Sequence, residues 1–297
     1  MLNFKKGSIF DRSEKAQEDF MDEPGNQVLA VWGSPGSGKS TVAVKLAKYL
    51  AGKKRNVILL TCDMTAPMLP CICPPADLEG EHSLGSVLAA AQVTQSLVRH
   101  NLITHKKYDY LTLMGMLRGE NEYTIPIQRE TGNGADHVSS GNGPYVIIDC
   151  GSYIANDILS AIALMESDAV LRLVNCDLKS ISYLSSQLPL LRDNKWDADK
   201  QYKIASNIKP NEASEHVEQV LGSVTFKLPY SAELAAQSLA GDLLADLSLR
   251  ESRGFRKAIE QSAGRCLDVR GKALRGYIWA GTEAGDWRTG GNGRRGC

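Results

Sequence analysis

The chain has 297 residues, with 34 lysines and arginines balanced by 34 aspartates and glutamates, and seven cysteines. Zero formal charge excludes a strong, sequence-independent nucleic-acid footprint, and the cysteine count does not make a disulfide framework. No secretory apolar region opens the sequence and no apolar run reaches about 18 residues, so a cytoplasmic protein without a transmembrane segment is expected.

Residues 1–26 are charged and weakly patterned and read as an N-terminal arm. The core begins at Val28, where VLAVWGSPGSGKSTVAVKLAKYL reads as a buried strand, a glycine-rich loop and a helix stopping near Gly52. Asn56–Asp63 is a second buried strand ending in an acid. Four prolines make Met64–Glu81 a loop, because proline removes a donor and fixes φ. Ser83 is a good N-cap for a helix to about Arg99, and Tyr108–Met116 reads as a strand. Residues 118–143 are polar and end in a glycine-rich stretch expected to be an exposed insertion.

Pro144–Gly151 (PYVIIDCG) is the next strand, followed by a helix with Ile154, Ile158, Ile162 and Met165 on one face. Asp168–Cys176 is a strand, Ile181–Leu191 a helix, and Gln201–Asn207 and Ser223–Leu228 the last strands. Alternating strands and helices predict an α/β fold, a doubly wound, mostly parallel sheet with helices on both faces. The core is expected over 27–263. Residues 264–297 are rich in glycine and arginine and lack a period, so a poorly ordered tail is expected there.

The loop fits G-x-x-x-x-G-K-[ST] at Gly33, Gly38, Lys39 and Ser40. The chemistry accounts for the spacing. Glycines let the backbone approach phosphate oxygens closely, and the following helix turns its positive end towards the anion. The whole segment Gly33, Ser34, Pro35, Gly36, Ser37, Gly38, Lys39, Ser40 and Thr41 is therefore the candidate phosphate cradle. Lys39 is placed to reach the β- and γ-phosphates, and the Ser40 hydroxyl to ligate Mg²⁺. A phosphate loop needs a partner acid at the tip of a neighbouring strand. Asp149 fits as the second Mg²⁺ ligand, with a turn-starting acid as the plainer alternative. Asp63 also closes a strand and could orient or deprotonate an attacking water, or simply cap a turn. Cys71 and Cys73, one residue apart, make a poor zinc spacing.

The order of these segments, with IASNIKP and VTFKLPYSAEL after them, resembles the ParA/MinD family of P-loop ATPases over about residues 27–245. Within the family the sequence looks most like the CpaE/TadZ-like branch. The resemblance implies ATP with Mg²⁺ as cofactor, a homodimer, and a nucleotide-switched role with a protein partner of a localisation or assembly system, peripheral to a membrane only through that partner. It also implies adenine contacts from Asn207 and from Pro229. Ser34 stands where the family carries a second lysine, which implies weak hydrolysis. Two other readings use the same loop: a small-molecule kinase, and an ATP-bound scaffold without turnover. No Asn-Lys-x-Asp element of the GTPase type occurs, which favours ATP over GTP.

Overall fold

The computed structural model describes residues 27–80, 82–121, 123–125, 144–155, 157–187, 189–192, 196–210 and 214–267. The expected arm, the glycine-rich part of the insertion, and the chain beyond Leu267 lie outside these residues. The described strands form one nine-stranded sheet: β1 (Val28–Gly33), β2 (Val57–Thr61), β3 (Leu78–Glu79), β4 (Ile103–His105), β5 (Leu111–Met114), β6 (Tyr145–Asp149), β7 (Ala169–Asn175), β8 (Gln201–Ile208) and β9 (Phe226–Pro229). Their order is β3-β4-β5-β2-β6-β1-β7-β8-β9. Pairing is parallel from β5 to β9 and antiparallel only at the β3-β4-β5 edge. This is the doubly wound, mostly parallel sheet that the alternating pattern predicts.

The register explains where chemistry collects. Val31 on β1 pairs with Asp149 on β6, and Thr61 on β2 pairs with the same Asp149. The carboxyl ends of three adjacent strands therefore stop together beside the glycine-rich loop, the edge at which open parallel sheets bind ligands.

Helix α1 (Lys39–Gly52) follows β1 and buries Val42, Ala43, Val44, Leu46, Ala47, Leu50 and Ala51 against one face of the sheet. Helix α9 (Arg253–Cys266) joins that layer through Phe255, Ala258, Ile259 and Ala263. It continues through Gly264, where the sequence pattern placed the start of the tail, and Leu267 beyond it is buried. The opposite face is covered by α5 (Ile158–Glu166) and α6 (Leu178–Gln187), packed over Trp32, Ile148, Val170, Val174 and Ala205.

A second tie holds α1 in place. The Lys45 ammonium is buried and donates to Gln237 Oε1 at 2.7 Å and to the Ala245 carbonyl at 2.8 Å. One turn on, Lys48 bonds the Leu244 carbonyl and the Asp246 carboxylate. Burial, with Lys48 nearby as a second contribution, pushes the Lys45 pKa down to about 8. Gln237 belongs to α8 (Ala232–Ala240), so α1 is stapled to α8 and to the segment after it.

Four expectations are corrected. The helix expected from Ser83 to Arg99 is two short helices, α3 (Leu84–Leu88) and α4 (Gln95–His100). Ser83 does cap the first, accepting from Gly85 N at 2.9 Å. Thr94 then starts a second helix by accepting from Leu97 N at 3.2 Å, a local side-chain bond that competes with helix continuation. The proline-rich loop contains α2 (Leu69–Ile72), a 3₁₀ turn at Pro75–Asp77 and the edge strand β3. α6 begins at Leu178, earlier than expected, because Asp177 accepts from Ser180 N at 2.8 Å.

The isoleucine face assigned to α5 is also rotated. Ile154 is buried but precedes the helix, whereas Ile158 and Ile162 are exposed at 59% and 38%. The buried positions are Ser160, Ala163 and Leu164. Asp157 sets this phase by accepting from Ser160 N at 3.1 Å, which turns the Ser160 hydroxyl inward. A remaining helix, α7 (Glu215–Leu221), lies between β8 and β9.

Candidate functional site

The loop is shaped by close backbone contact. Gly33 closes β1 beside β7, and a Cβ there would stand 2.0 Å from the Leu173 carbonyl oxygen. Ser34 N donates to that oxygen at 3.1 Å. The Ser34 carbonyl then gathers Ser37 N at 3.1 Å, Ser37 Oγ at 2.7 Å and Lys39 Nζ at 3.4 Å. Gly36 and Gly38 take φ of 73° and 82°, left-handed values that favour glycine. Gly38 is the N-cap of α1 and offers no side chain, so the first amides of the helix remain available to an anion. Gly33→Ala should therefore destabilise the fold by about 3 kcal/mol or more, since backbone rather than a flexible side chain must move. Urea denaturation of the purified variant checks this.

Lys39, Asp149 and Ser40 meet beside the loop. Asp149 is buried, and its Oδ1 has no hydrogen-bond partner. Burial pushes its pKa up to about 7, opposed by a hydrogen bond to Ser40 and by the Lys39 charge. Burial also lowers the Lys39 pKa, against the pull of Asp149 and Asp63. Lys39 Nζ makes its shortest bond, 2.7 Å, to Ser152 Oγ. A buried carboxylate oxygen without a donor, next to a serine hydroxyl and a phosphate loop, fits Mg²⁺, which takes one or two protein oxygens and completes its shell with phosphate and water. Among the described residues no group of three or more His, Cys, Asp or Glu could hold a metal by itself.

Asp63 stands two residues beyond the end of β2. Its Oδ1 accepts from Thr65 N at 3.0 Å and Ala66 N at 2.9 Å. It thus builds a turn, and it also lines the cleft. Across from it, Asp157 takes the Ser160 hydroxyl at 2.5 Å, and that hydroxyl accepts from Gly151 N at 2.8 Å. Burial is the main cause raising the Asp157 pKa, and Asp63 adds to it. Two carboxylates, Asp63 and Asp157, therefore line the same cleft.

The cleft has a volume of about 780 Å³ and runs from the loop to Lys209, Tyr230 and Ser231. Asn207 lies in it at φ 53° and donates to the Gly36 carbonyl at 3.3 Å and to Asn175 Oδ1 at 3.0 Å. Asn175 donates to the same carbonyl at 3.2 Å. Sequence reasoning missed Asn175; its signal was its place at the tip of β7, next to the loop. Pro229 ends β9 and packs against Gly254, while its neighbours Tyr230 and Ser231 line the cleft. Ser34 and Ser37 are fully buried beneath the loop, and Ser34 Oγ has no partner. Pro35, Ser40 and Thr41 line the cleft beside Gly36, Gly38 and Lys39.

A family model described as the CobQ/CobB/MinD/ParA nucleotide binding domain matches residues 28–244. Among solved structures, a ParA family ATPase from Chlorobium tepidum TLS is 18% identical, with a TM-score of 0.64 over 80% of this chain and 98% of that one. The MinD cell division protein of Aquifex aeolicus is 21% identical, with a TM-score of 0.59 over 81% and 97%. The MinD protein of Pyrococcus horikoshii OT3, solved with Mg-ADP, is 13% identical, with a TM-score of 0.55 over 80% and 95%. No curated protein sequence matches the chain.

Proposed function

We propose, from the premise that this chain belongs to the family of CobQ/CobB/MinD/ParA nucleotide-binding domains, that it is an ATP- and Mg²⁺-binding protein whose nucleotide state switches its association with a protein partner of a localisation or assembly system. The observation that carries this reading is the partnerless Oδ1 of buried Asp149, beside Ser40 and Lys39. Mg²⁺ held at this point would neutralise a carboxylate that burial otherwise disfavours. Ser40 and Asp149 would hold the ion, Lys39 and the amides from Gly33 to Thr41 would hold the phosphates, and Asp63 would orient the attacking water. Asn207 and the end of β9 near Pro229 border the base. Bound there, the ion would supply neutralisation of charge on the terminal phosphate.

A homodimer and a cytoplasmic location belong to the same reading. Among the described residues no helix is long and apolar enough to cross a membrane. Ser34, buried at the position where the family carries a second lysine, favours slow turnover, because a hydroxyl supplies no charge to a phosphoryl transition state. The test is light scattering with Mg-ATP and with Mg-ADP, paired with phosphate release. Mass or partner capture that differs between the nucleotides is the expected result. Identical behaviour with both, at saturation, overturns the switch.

A further inference from the structure

The chemistry of Ser152 is not contained in the phosphate-loop pattern. Its Oγ is the closest partner of Lys39 Nζ, at 2.7 Å, and the residue is only 9% exposed on the cleft wall. Its backbone is clamped from behind. The Ser152 carbonyl accepts from Trp32 Nε1 at 3.3 Å on β1 and from the Tyr183 hydroxyl on α6. The Tyr183 ring lies 6.5 Å from Trp32 and 6.2 Å from Tyr153, measured between centroids. On its other side the Gly151 amide is held by Ser160 Oγ, itself bonded to Asp157. The main chain at 151–152 is thus fixed by three side chains, from β1, α5 and α6, while the Ser152 hydroxyl keeps its rotor.

A hydroxyl so placed has two uses. It accepts from Lys39, and it can donate to an anion that Lys39 binds, because an oxygen held by the same ammonium comes close to Ser152. We infer that Ser152 is a specificity residue for the terminal phosphate: it competes with the phosphates for Lys39 and donates a hydrogen bond to the γ-phosphate, so that the cleft favours nucleoside triphosphate over diphosphate. The inference rests on the proposed nucleotide function and concerns a residue outside the phosphate loop. Diphosphate must displace the Lys39–Ser152 bond without a γ-oxygen to engage the freed hydroxyl. Triphosphate displaces the same bond and engages it.

The experiment measures dissociation constants of Mg-ATP and Mg-ADP by calorimetry for the full chain, Ser152→Ala and Ser152→Thr, with melting curves for all three. In Ser152→Ala the preference for ATP over ADP should fall about 10-fold, the scale of one hydrogen bond to a charged group. ADP should bind about as tightly as before or a few-fold more tightly, since Lys39 is released. Ser152→Thr keeps the hydroxyl and should restore most of the preference. A purely structural role would weaken both nucleotides alike and lower the melting temperature. An unchanged ATP-to-ADP ratio in a folded Ser152→Ala overturns the assignment while leaving the nucleotide function standing. A wild-type chain that binds neither nucleotide overturns both.

Discussion

Lys39→Ala lowers affinity for Mg-ATP by about 100-fold or more and leaves the fold intact. Lys39 is the ammonium nearest the loop, and two charge-assisted hydrogen bonds to phosphate carry roughly 3 kcal/mol or more between them. The stability half of the expectation follows from its surroundings. Burial lowers its pKa, so holding the charge there is already unfavourable without phosphate. Alanine removes that desolvation and leaves only Ser152 Oγ and the long contact to the Ser34 carbonyl without this donor. The melting temperature of the nucleotide-free variant should stay within a few degrees of wild type, while calorimetry with Mg-ATP shows little or no heat of binding.

Asp149→Asn should act in opposite directions on stability and on magnesium. The folded pKa of about 7 lies above the ordinary carboxylate value of 3.8. Between those values the folded chain holds a proton that the unfolded chain has released. Stability therefore falls as pH rises through this window and levels off above about 7. Asparagine removes the buried charge, so without metal the variant should be more stable than wild type at pH 8, by up to about 4 kcal/mol on a scale of 1.36 kcal/mol per pKa unit. At pH 5 the difference should shrink. The same change removes the anionic ligand, so the gain in nucleotide affinity on adding Mg²⁺ should fall about 100-fold. In wild type, apparent Mg²⁺ affinity should rise with pH to about 7 and then flatten, because metal and proton compete for one carboxylate. Urea melts and calorimetry from pH 5 to 8.5 check both halves.

Much of the frame was legible from the residues. Buried strands such as VLAVW and YVIID announce a parallel sheet, and the fixed residues of the loop announce where its ligand edge lies. What failed to show has identifiable physical causes. The α5 face was misassigned because a polar residue, Ser160, occupies the inward position, where periodicity expects an isoleucine. The Ser83–Arg99 helix was overextended because Thr94 is an internal cap that a run of alanines hides. Asn175 and Ser152 are contacts between segments more than a hundred residues apart in sequence, and no local pattern signals such pairs. That Ser34 is fully buried beneath the loop it begins is likewise a property of the folded loop, which the motif pattern does not carry.

The lysine staples on α1 have a consequence for motion. The helix whose amino end cradles phosphate is bonded along its outer side to Gln237, Leu244, Ala245 and Asp246. Any small slide of α1 on gaining or losing an anion must drag that distant stretch or break buried bonds to it. Amide exchange at 244–247 should therefore slow when Mg-ATP occupies the loop, although none of these residues borders the cleft. The stretch from Gln237 to Asp246 thereby becomes a strut through which phosphate occupancy should be felt beyond the cleft lining.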